Sequence, residues 1–383
     1  MMRPMKFGGE ELLYGTDVLP HLAAVDGERF MIVIGGGSIE RSGYLGRVRT
    51  ILEDAGKKTA LIRGVESDPG FKTVLSGAAE MAGFEPDWIL AIGGGSVMDA
   101  AKAMWVVYEH PELDTLEKFS ARHNNMPELR LKARMAAIPT TSGTASEVSR
   151  SVVISDDDSH VKMGASDMQM IPDLVLLDPE ATRTAPAHIT AETGMDALTH
   201  AVEAYVSGRA NIFSDTFAEK AFRLIMENMA AAHADGDDMD ARTGMLLGSA
   251  LAGMAFTNVS LGIVHSMAHT IGSFFGIAHG LADAVLLPYI VEFNSAAAEA
   301  EAKYGALAAL AGGEGSLSGQ IRALNDRLGI PAGFRDLVGD KAEWEQNLDA
   351  MAAMAEADGC SKTNPVIPDT EGYKALFRLV WGD

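Results

Sequence analysis

The first half of the chain alternates short β-branched segments with turns and helical segments, and this order restricts the fold more than any other feature. Two of the five segments run directly into Gly-Gly-Gly-Ser. Parallel strands need long, usually helical crossovers, and their sheets are covered by helices on both faces. The sequence therefore predicts an α/β domain with a parallel sheet. The predicted strands are Phe30–Ile34, Lys58–Ile62, Trp88–Ile92, Ala136–Ile138 and Leu174–Leu177.

The second half lacks convincing strand patterns from about Ala187 onward. Long segments rich in Ala, Met and Leu follow a 3.6-residue spacing there, which is typical of helices. A chain of 383 residues is expected to form two domains, because a single core seldom exceeds about 250–300 residues. We predict an α/β domain at 1–185 and an all-α domain at 186–383.

Composition restricts the possible partners. The net charge of −22 and the pI of about 4.8 predict repulsion from nucleic acid and from anionic membranes. The single cysteine, Cys360, excludes an intrachain disulfide and is typical of a reducing cytoplasm. The N-terminal residues lack the apolar segment of a signal peptide. We therefore expect a cytoplasmic protein with no nucleic-acid or membrane partner. We also expect the protein to form a homo-oligomer.

The two glycine turns, Gly35–Ser38 and Gly93–Ser96, are candidate phosphate-binding sites. Neither fits the G-x-G-x-x-G fingerprint, but glycines after a strand let the backbone approach a pyrophosphate at a helix N-terminus. Ser96 with Asp99 also predicts a capping box at the start of that helix. The alternative is a tight turn without a ligand. The hydroxyl-rich loop Thr140–Ser146 favours a ligand, since open α/β sheets bind ligands at the carboxyl ends of their strands.

Two patches of carboxylate and imidazole side chains predict a metal centre. Asp196 and His200 lie four residues apart, on one face of a predicted helix. His265, His269 and His279 fall within residues 243–282, which contain no Asp, Glu, Lys or Arg. A divalent ion held in such surroundings would be a strong Lewis acid. Four ligands suffice, so His269 is either a ligand or a neighbour of the open position. The alternative is a set of unrelated core, capping and turn residues.

Several motifs together resemble the iron-containing (group III) alcohol dehydrogenases across nearly the whole chain. The resemblance implies a Rossmann-like dinucleotide-binding domain followed by a helical metal-binding domain. It also implies Fe²⁺, or Zn²⁺ or another divalent ion, as the metal. The motifs are Gly93-Gly94-Gly95-Ser96-Val97-Met98-Asp99-Ala100-Ala101-Lys102, Pro139-Thr140-Thr141-Ser142-Gly143-Thr144, Gly194-Met195-Asp196-Ala197-Leu198-Thr199-His200, His265-Ser266-Met267-Ala268-His269 and His279-Gly280.

The resemblance also implies roles for individual residues. Asp196, His200, His265 and His279 match the metal ligands, and His269 matches a histidine near the nicotinamide that is usually not a ligand. We expect His269 to carry the hydroxyl proton. Phe256 and Cys360 fall where the family lines its substrate pocket. The expected cofactor-binding residues are Gly36, Gly37, Ser38, Gly94, Gly95, Ser96, Asp99, Thr140, Thr141, Ser149 and Lys162.

The first turn departs from the pattern of the NAD-preferring members, which often place an Asp where this chain has Gly36. Such a carboxylate repels a 2′-phosphate, so its absence predicts a preference for NADP(H) over NAD(H). Backbone N–H groups and Ser38 could then accept the 2′-phosphate, aided by Arg41 or Arg47.

The expected reaction is reversible hydride transfer between a primary alcohol and NADP⁺, giving an aldehyde and NADPH. Two alternatives remain. A lyase of the dehydroquinate-synthase kind would show no net change in NAD(P)H, and the uncharged stretch argues against its phosphorylated substrate. A non-catalytic protein that binds nucleotide or metal would bind without turnover.

Overall fold

The chain divides between Ala185 and Pro186 in the computed structural model, which describes residues 5–158 and 162–382. The first unit contains strands and helices, and the second contains helices. This arrangement confirms the predicted fold class.

Six parallel strands form the sheet of the first unit, in the order β1-β8-β5-β4-β2-β3. All five strands expected from the sequence are present within it. The strands and helices are β1 (Glu11–Tyr14), β2 (Arg29–Ile34), α1 (Ser38–Arg41), α2 (Tyr44–Asp54), β3 (Lys58–Ile62), α3 (Phe71–Phe84), β4 (Trp88–Gly93), α4 (Gly95–Glu109), α5 (Leu116–Ser120), β5 (Arg134–Pro139), β6 (Ser151–Ser155), β7 (Lys162–Ser166) and β8 (Leu174–Leu177).

Alternate side chains of the central strands enter two separate cores, one on each face of the sheet. On β4, Ile89 and Ala91 join the core under α3, α4 and α5, whereas Leu90 and Ile92 join the core under α2. Both sets are buried. A strand that is buried on both faces reads as a continuous apolar run, which is why the sequence pattern was strong here.

The sequence did not predict β1 or the antiparallel pair β6–β7. β1 is an edge strand of four residues with a mixed burial pattern, and β6 exposes Val153 between buried neighbours. Short, partly exposed strands carry little periodic signal. The pair β6–β7 matters because Lys162, an expected cofactor residue, begins β7.

The second unit is built from ten helices over its described residues. A glycine lets three of them pack closely, since a Cβ at Gly194 on the first helix would lie 2.5 Å from Met229 on the second and 2.7 Å from Met245 on the third. The helices are α6 (Ala187–Val206), α7 (Ile212–Ala234), α8 (Met239–Val259), α9 (Ile263–Phe275), α10 (His279–Asn294), α11 (Ala298–Leu310), α12 (Leu317–Leu328), α13 (Arg335–Val338), α14 (Lys341–Ala357) and α15 (Thr370–Trp381).

No single helix of the described residues has the length and apolar composition needed to cross a membrane. The α8 and α9 helices meet that criterion only as a pair, which is bent by 101°.

Candidate metal centre and cofactor turns

Helix α6 presents three ionisable side chains on one face. Asp196, His200 and Glu203 occupy positions i, i+4 and i+7, which lie above one another along an α-helix. All three are buried. Burying a charged group is costly unless it is paired or binds a metal, so this face needs partners from other helices.

The partners come from α9 and α10, which bring two more imidazoles to Asp196. Its Oδ1 lies 3.4 Å from Nε2 of His200, 3.6 Å from Nε2 of His265 and 3.8 Å from Nε2 of His279. The structure thus brings together all four residues that the sequence predicted as ligands. His279 is the first residue of α10 and remains partly exposed.

These separations fit a single divalent ion. Two ligand atoms about 2.1 Å from one ion at the tetrahedral angle are about 3.4 Å apart. Neither Asp196 Oδ1 nor His265 Nε2 has a hydrogen-bond partner among the described residues. Buried polar atoms are rarely left unsatisfied, and each exception calls for an explanation. A bound cation would satisfy both atoms.

The sequence did not single out Asp283, which the structure places in the same cluster. Its carboxylate is fully buried in α10, and Oδ2 lies 3.2 Å from Nε2 of His279. Single ligand atoms of Asp196, His265, His279 and Asp283 all lie within 4.8 Å of one another. Two signals in the sequence could have found it. Asp283 ends the uncharged stretch, and it follows His279 by four residues.

The electrostatic environment reflects these close approaches. Burial opposes ionisation of Asp196, but the imidazoles of His200, His265 and His279 outweigh it and hold the pKa of this carboxyl below its usual value. Burial also opposes the charged form of His265, yet the surrounding carboxylates hold the pKa of its imidazole well above the usual value. The site therefore favours positive charge next to Asp196, as a cation site should.

Glu203 orients His265 from behind and was also missed by the sequence reasoning. Its Oε2 lies 2.7 Å from Nδ1 of His265. Because a carboxylate only accepts hydrogen bonds, Nδ1 carries a proton, and Nε2 is the nitrogen that could bind an ion on the side of Asp196. Glu203 also accepts from the N–H groups of Gly262 and Val264, so it caps α9. A carboxylate behind a ligating histidine fixes its tautomer and orientation.

His269 has a different partner. Its Nδ1 lies 2.8 Å from Oδ2 of Asp358, a carboxylate that also accepts from the N–H of Cys360. Burial opposes ionisation of Asp358, but the hydrogen bond from His269 lowers the pKa of this carboxyl to about 2. His269 is therefore held by a partner of its own, and its ring stacks on that of His279 with centroids 5.1 Å apart.

The two expected substrate-pocket residues also lie in the second unit. Phe256 stacks on His200 with ring centroids 4.3 Å apart, so it forms part of the wall beside the cluster. Burial raises the pKa of the Cys360 thiol well above its usual value. The thiol is therefore neutral at ordinary pH and is not an activated nucleophile.

A glycine allows α10 to approach α6 closely. A Cβ at Gly280 would lie 2.1 Å from the backbone oxygen of Glu192 and 3.4 Å from Cβ of Asp196. Any larger residue would force the two helices apart. The Gly that follows His279 therefore has a steric role next to the cluster, which the His-Gly motif alone did not reveal.

In the first unit, the second glycine turn packs against the hydroxyl-rich loop. A Cβ at Gly94 would lie 3.2 Å from Oγ1 of Thr141, and one at Gly95 would lie 2.6 Å from Cγ2 of Thr144. Thr140 donates its N–H to the oxygen of Gly93. The two segments that the sequence assigned to cofactor binding thus meet at the carboxyl ends of β4 and β5.

The predicted capping box is wrong. Gly94 is the N-cap of α4, and no side chain caps this end of the helix. Asp99 instead accepts from Oγ of Ser146 and from the N–H of Val153. Its role in the described structure is to tie the loop and β6 to α4. The N–H groups of the first turn of α4 remain without a side-chain cap, as an anion-binding turn requires.

A buried ionisable side chain holds the segment that follows the hydroxyl-rich loop. Lys102 is fully buried and donates from Nζ to the backbone oxygens of Ser149 (2.8 Å) and Ser151 (3.3 Å). Burial lowers the pKa of this ammonium group to about 8 and raises the pKa of the neighbouring Glu147 to about 7. Ser149 is thus held through its backbone at an expected cofactor position.

The remaining expected cofactor residues lie in or near the two turns. Lys162 pairs with Asp68 at 2.7 Å, and the N–H of Asp68 lies 3.4 Å from Oγ of Ser96. In the first turn, Gly37 has a φ of 83° and precedes Ser38, the first residue of α1. The left-handed conformation at this position favours glycine. Lys162 thus lies beside the second turn through its contact with Asp68, whereas Gly37 and Ser38 belong to the first turn.

Comparison with known families matches almost the whole chain. Residues 10–179 match the family described as iron-containing alcohol dehydrogenase, and residues 190–381 match the C-terminal domain of the Fe-containing alcohol dehydrogenase family.

Individual proteins with similar sequences or structures carry related names. The NADPH-dependent butanol dehydrogenase of Clostridium saccharobutylicum is 41% identical over 97% of this chain and 96% of its own length. An aldehyde-alcohol dehydrogenase of Streptococcus pneumoniae is 39% identical over 92% of this chain, which spans only 43% of that protein. The crystal structure of a 1,3-propanediol oxidoreductase is 33% identical, with a TM-score of 0.90 over 99% of this chain and 100% of that chain.

Proposed function

Because the chain belongs to the iron-containing alcohol dehydrogenase family, whose members are oxidoreductases acting on alcohols, we propose a specific reaction for it. The protein transfers hydride reversibly between a short primary alcohol or its aldehyde and NADP(H). The reaction requires a divalent ion, with Fe²⁺ as the first candidate. Four residues would hold this ion: Asp196, His200, His265 and His279.

One observation carries this proposal. Asp196 Oδ1 faces the Nε2 atoms of three imidazoles at 3.4–3.8 Å, and it has no hydrogen-bond partner among the described residues. A bound divalent ion supplies Lewis-acid stabilisation of a developing alkoxide. The chain's own residues supply the geometry, because Glu203 fixes the tautomer of His265 and Gly280 lets His279 approach Asp196.

His269 is proposed to hold and pass on the proton of the alcohol hydroxyl. Nδ1 of His269 donates its N–H to Oδ2 of Asp358, which leaves Nε2 as the acceptor. His269→Ala is expected to lower kcat and to change the pH profile of kcat while the metal content stays at the wild-type level. An unchanged rate and pH profile would refute this role.

The preference for NADP(H) is proposed from the first glycine turn. Gly36 has no side chain to repel a 2′-phosphate, and a Cβ there would meet no atom within 4 Å. Arg41 is exposed, with Nη1 3.5 Å from the oxygen of Gly36. The relative from C. saccharobutylicum is named as NADPH-dependent, which supports the same preference.

Gly36→Asp is the matched test of this preference. The introduced carboxylate should raise the KM for NADPH at least tenfold and leave the KM for NADH little changed. Arg41→Ala should raise the KM for NADPH to a smaller extent. Equal kcat/KM values of the wild-type protein for NADPH and NADH would contradict the preference itself.

The substrate pocket is proposed to be small and apolar. Phe256 packs beside the cluster, and Cys360 contributes a neutral thiol. Such a wall suits short, unbranched aldehydes better than charged or phosphorylated compounds. Phe256→Ala should therefore extend activity toward longer aldehydes and lower kcat/KM for the shortest ones.

The decisive experiment is an NADPH-oxidation assay over a panel of aldehydes from two to six carbons. The protein is first stripped of metal and then reloaded separately with Fe²⁺ or Zn²⁺, with the metal-free protein as the control. Metal-dependent oxidation of NADPH supports the proposal. Binding of metal and nucleotide without any net change in NADPH absorbance would favour a lyase or a non-catalytic protein instead.

A further inference from the structure

Asp283 is a buried carboxylate that the family ligand set leaves out. It is 0% exposed, and neither of its oxygens has a hydrogen-bond partner among the described residues. An ionised carboxylate in this position is costly unless a cation or a set of donors compensates for its lost hydration. The four predicted ligands alone do not account for it.

The carboxylate lies within the cluster and not merely near it. Its Oδ2 is 3.2 Å from Nε2 of His279 and 4.0 Å from Nε2 of His265. Ligand atoms about 2.1 Å from one ion in an octahedral arrangement are about 3.0 Å apart when adjacent and about 4.2 Å apart when opposite. Both distances fall within this range.

Asp283 and Glu203 contact different ring nitrogens of the histidines, so their roles differ. Glu203 contacts Nδ1 of His265, the nitrogen on the far side of the ring from Asp196. Asp283 instead approaches the Nε2 atoms of His265 and His279, which are the same nitrogens that face Asp196. A carboxylate that contacts the ring nitrogen facing away from the metal site orients the histidine. A carboxylate that contacts the ring nitrogen facing the site is within reach of the ion itself.

We propose that Asp283 is a second carboxylate ligand of the metal centre, in addition to the four residues of the family pattern. This inference rests on the metal-dependent function proposed above. Two carboxylates balance the charge of a divalent ion. They also provide an oxygen-rich set that favours ions with more than four ligands, such as Fe²⁺ or Mn²⁺, over tetrahedral Zn²⁺.

The sequence pattern agrees with this assignment. Asp196 and His200 occupy positions i and i+4 of α6, and His279 and Asp283 occupy positions i and i+4 of α10 in the opposite order. Each helix therefore contributes one carboxylate and one imidazole from adjacent turns, while α9 adds His265.

The test uses Co²⁺ as a spectroscopic probe of the full-length protein, after removal of its native metal. Affinity is measured by competition with a chromogenic chelator, and the visible absorption of bound Co²⁺ reports the number and type of ligands. Three variants are compared with the wild type. Asp283→Asn removes the charge at nearly constant volume, Asp283→Glu keeps a carboxylate, and Asp215→Asn is the matched control. Asp215 lies in α7 and pairs with Lys303.

Asp283→Asn is expected to weaken Co²⁺ binding at least tenfold and to change the Co²⁺ absorption spectrum. Asp283→Glu should bind more tightly than Asp283→Asn, and Asp215→Asn should match the wild type. Thermal unfolding of the metal-free proteins checks that each variant folds as the wild type does.

Two results would overturn the inference. One is wild-type affinity in Asp283→Asn, and the other is weaker binding with an unchanged spectrum, which would place Asp283 outside the coordination sphere. A wild-type protein that binds no Co²⁺ would contradict the metal centre as a whole, and that failure is distinguishable because it does not depend on any variant.

Discussion

Both units of the molecule bury carboxylates, but they differ in what the carboxylate oxygens contact. In the first unit, Glu109 accepts from the indole N–H of Trp105 and from backbone N–H groups, including that of Ala133. Asp173 accepts from Arg130 and from the N–H of Met135.

In the second unit, Asp283 and Oδ1 of Asp196 have no such partner among the described residues. A carboxylate that the protein satisfies itself stabilises the fold, whereas one that it leaves unsatisfied indicates a ligand. These buried carboxylates of the first unit thus stabilise the folded state, whereas those of Asp196 and Asp283 are available to bind a cation.

The largest effect is expected from removing an imidazole of the cluster. His265→Ala should abolish stoichiometric metal binding and lower kcat/KM on the order of 10³-fold, because transition-state charge loses its stabilisation. His233→Ala, at the end of α7, is the control and should behave as the wild type. Metal content by mass spectrometry and steady-state rates decide the outcome. Full metal content in His265→Ala would place this histidine outside the centre.

The second prediction concerns stability. Asp173→Ala should lower the free energy of unfolding by about 3 kcal/mol, since it leaves Arg130 without its buried partner. The Asp283→Asn substitution in metal-free protein should change the free energy of unfolding by less than about 1 kcal/mol, because no hydrogen-bond donor loses its acceptor. Denaturant titrations of both variants under identical conditions provide the measurement. If both substitutions destabilise equally, the distinction between the two units is wrong.

A smaller effect is expected from changing Glu203, which contacts the predicted ligand His265. Glu203→Gln keeps one acceptor oxygen, so only one of the N–H groups of Gly262 and Val264 keeps its partner, and it loses the charge that holds the proton on Nδ1 of His265. Metal affinity should fall about 10- to 100-fold, and the free energy of unfolding of the metal-free protein should fall by about 1 to 2 kcal/mol because one buried N–H group loses its acceptor. A competition titration measures the affinity. A large loss of stability in this variant would show instead that the main role of Glu203 is to cap the helix.

The smallest effect at neutral pH is expected at a carboxyl group of the first unit that has only part of its possible hydrogen bonds. Burial raises the pKa of Glu147 from its ordinary value of 4.5 to about 7, and its Oε1 has no hydrogen-bond partner among the described residues. Because the folded state holds this proton more tightly than the unfolded state, the free energy of unfolding should fall as pH rises from about 4.5 to about 7.

Glu147→Gln removes that titration. The difference in stability between the variant and the wild type should change by about 3 kcal/mol between pH 4.5 and pH 8, in favour of the variant at the higher pH. Urea unfolding at several pH values measures it. A constant difference across this range would mean that Glu147 titrates normally.

The sequence predicted the fold well where strands are buried on both faces. The strands β3 and β8 have the predicted bounds, and β2, β4 and β5 extend the predicted runs by one to three residues. The short edge strand β1 and the pair β6–β7 were missed because partly exposed strands lack a continuous apolar pattern.

For the candidate site, the sequence supplied the residues with sharp spacing and missed those defined by tertiary contacts. Asp196 and His200 follow from a helical repeat, but Glu203 is recognisable only from its contact with the N-terminus of α9. Likewise, nothing in the local pattern around Asp358 indicates that it contacts His269, which is 89 residues away. The capping box failed because Asp99 finds its partners in a later loop and strand.

The contact at Gly280 has a consequence for engineering. Where its backbone meets the oxygen of Glu192, the two helices touch without any side chain between them. Such a contact behaves as a mechanical stop, because neither helix can move closer and neither can be wedged apart by a change of rotamer. Residues such as Phe256 can then be exchanged to alter substrate range while the spacing between Asp196 and His279 is preserved.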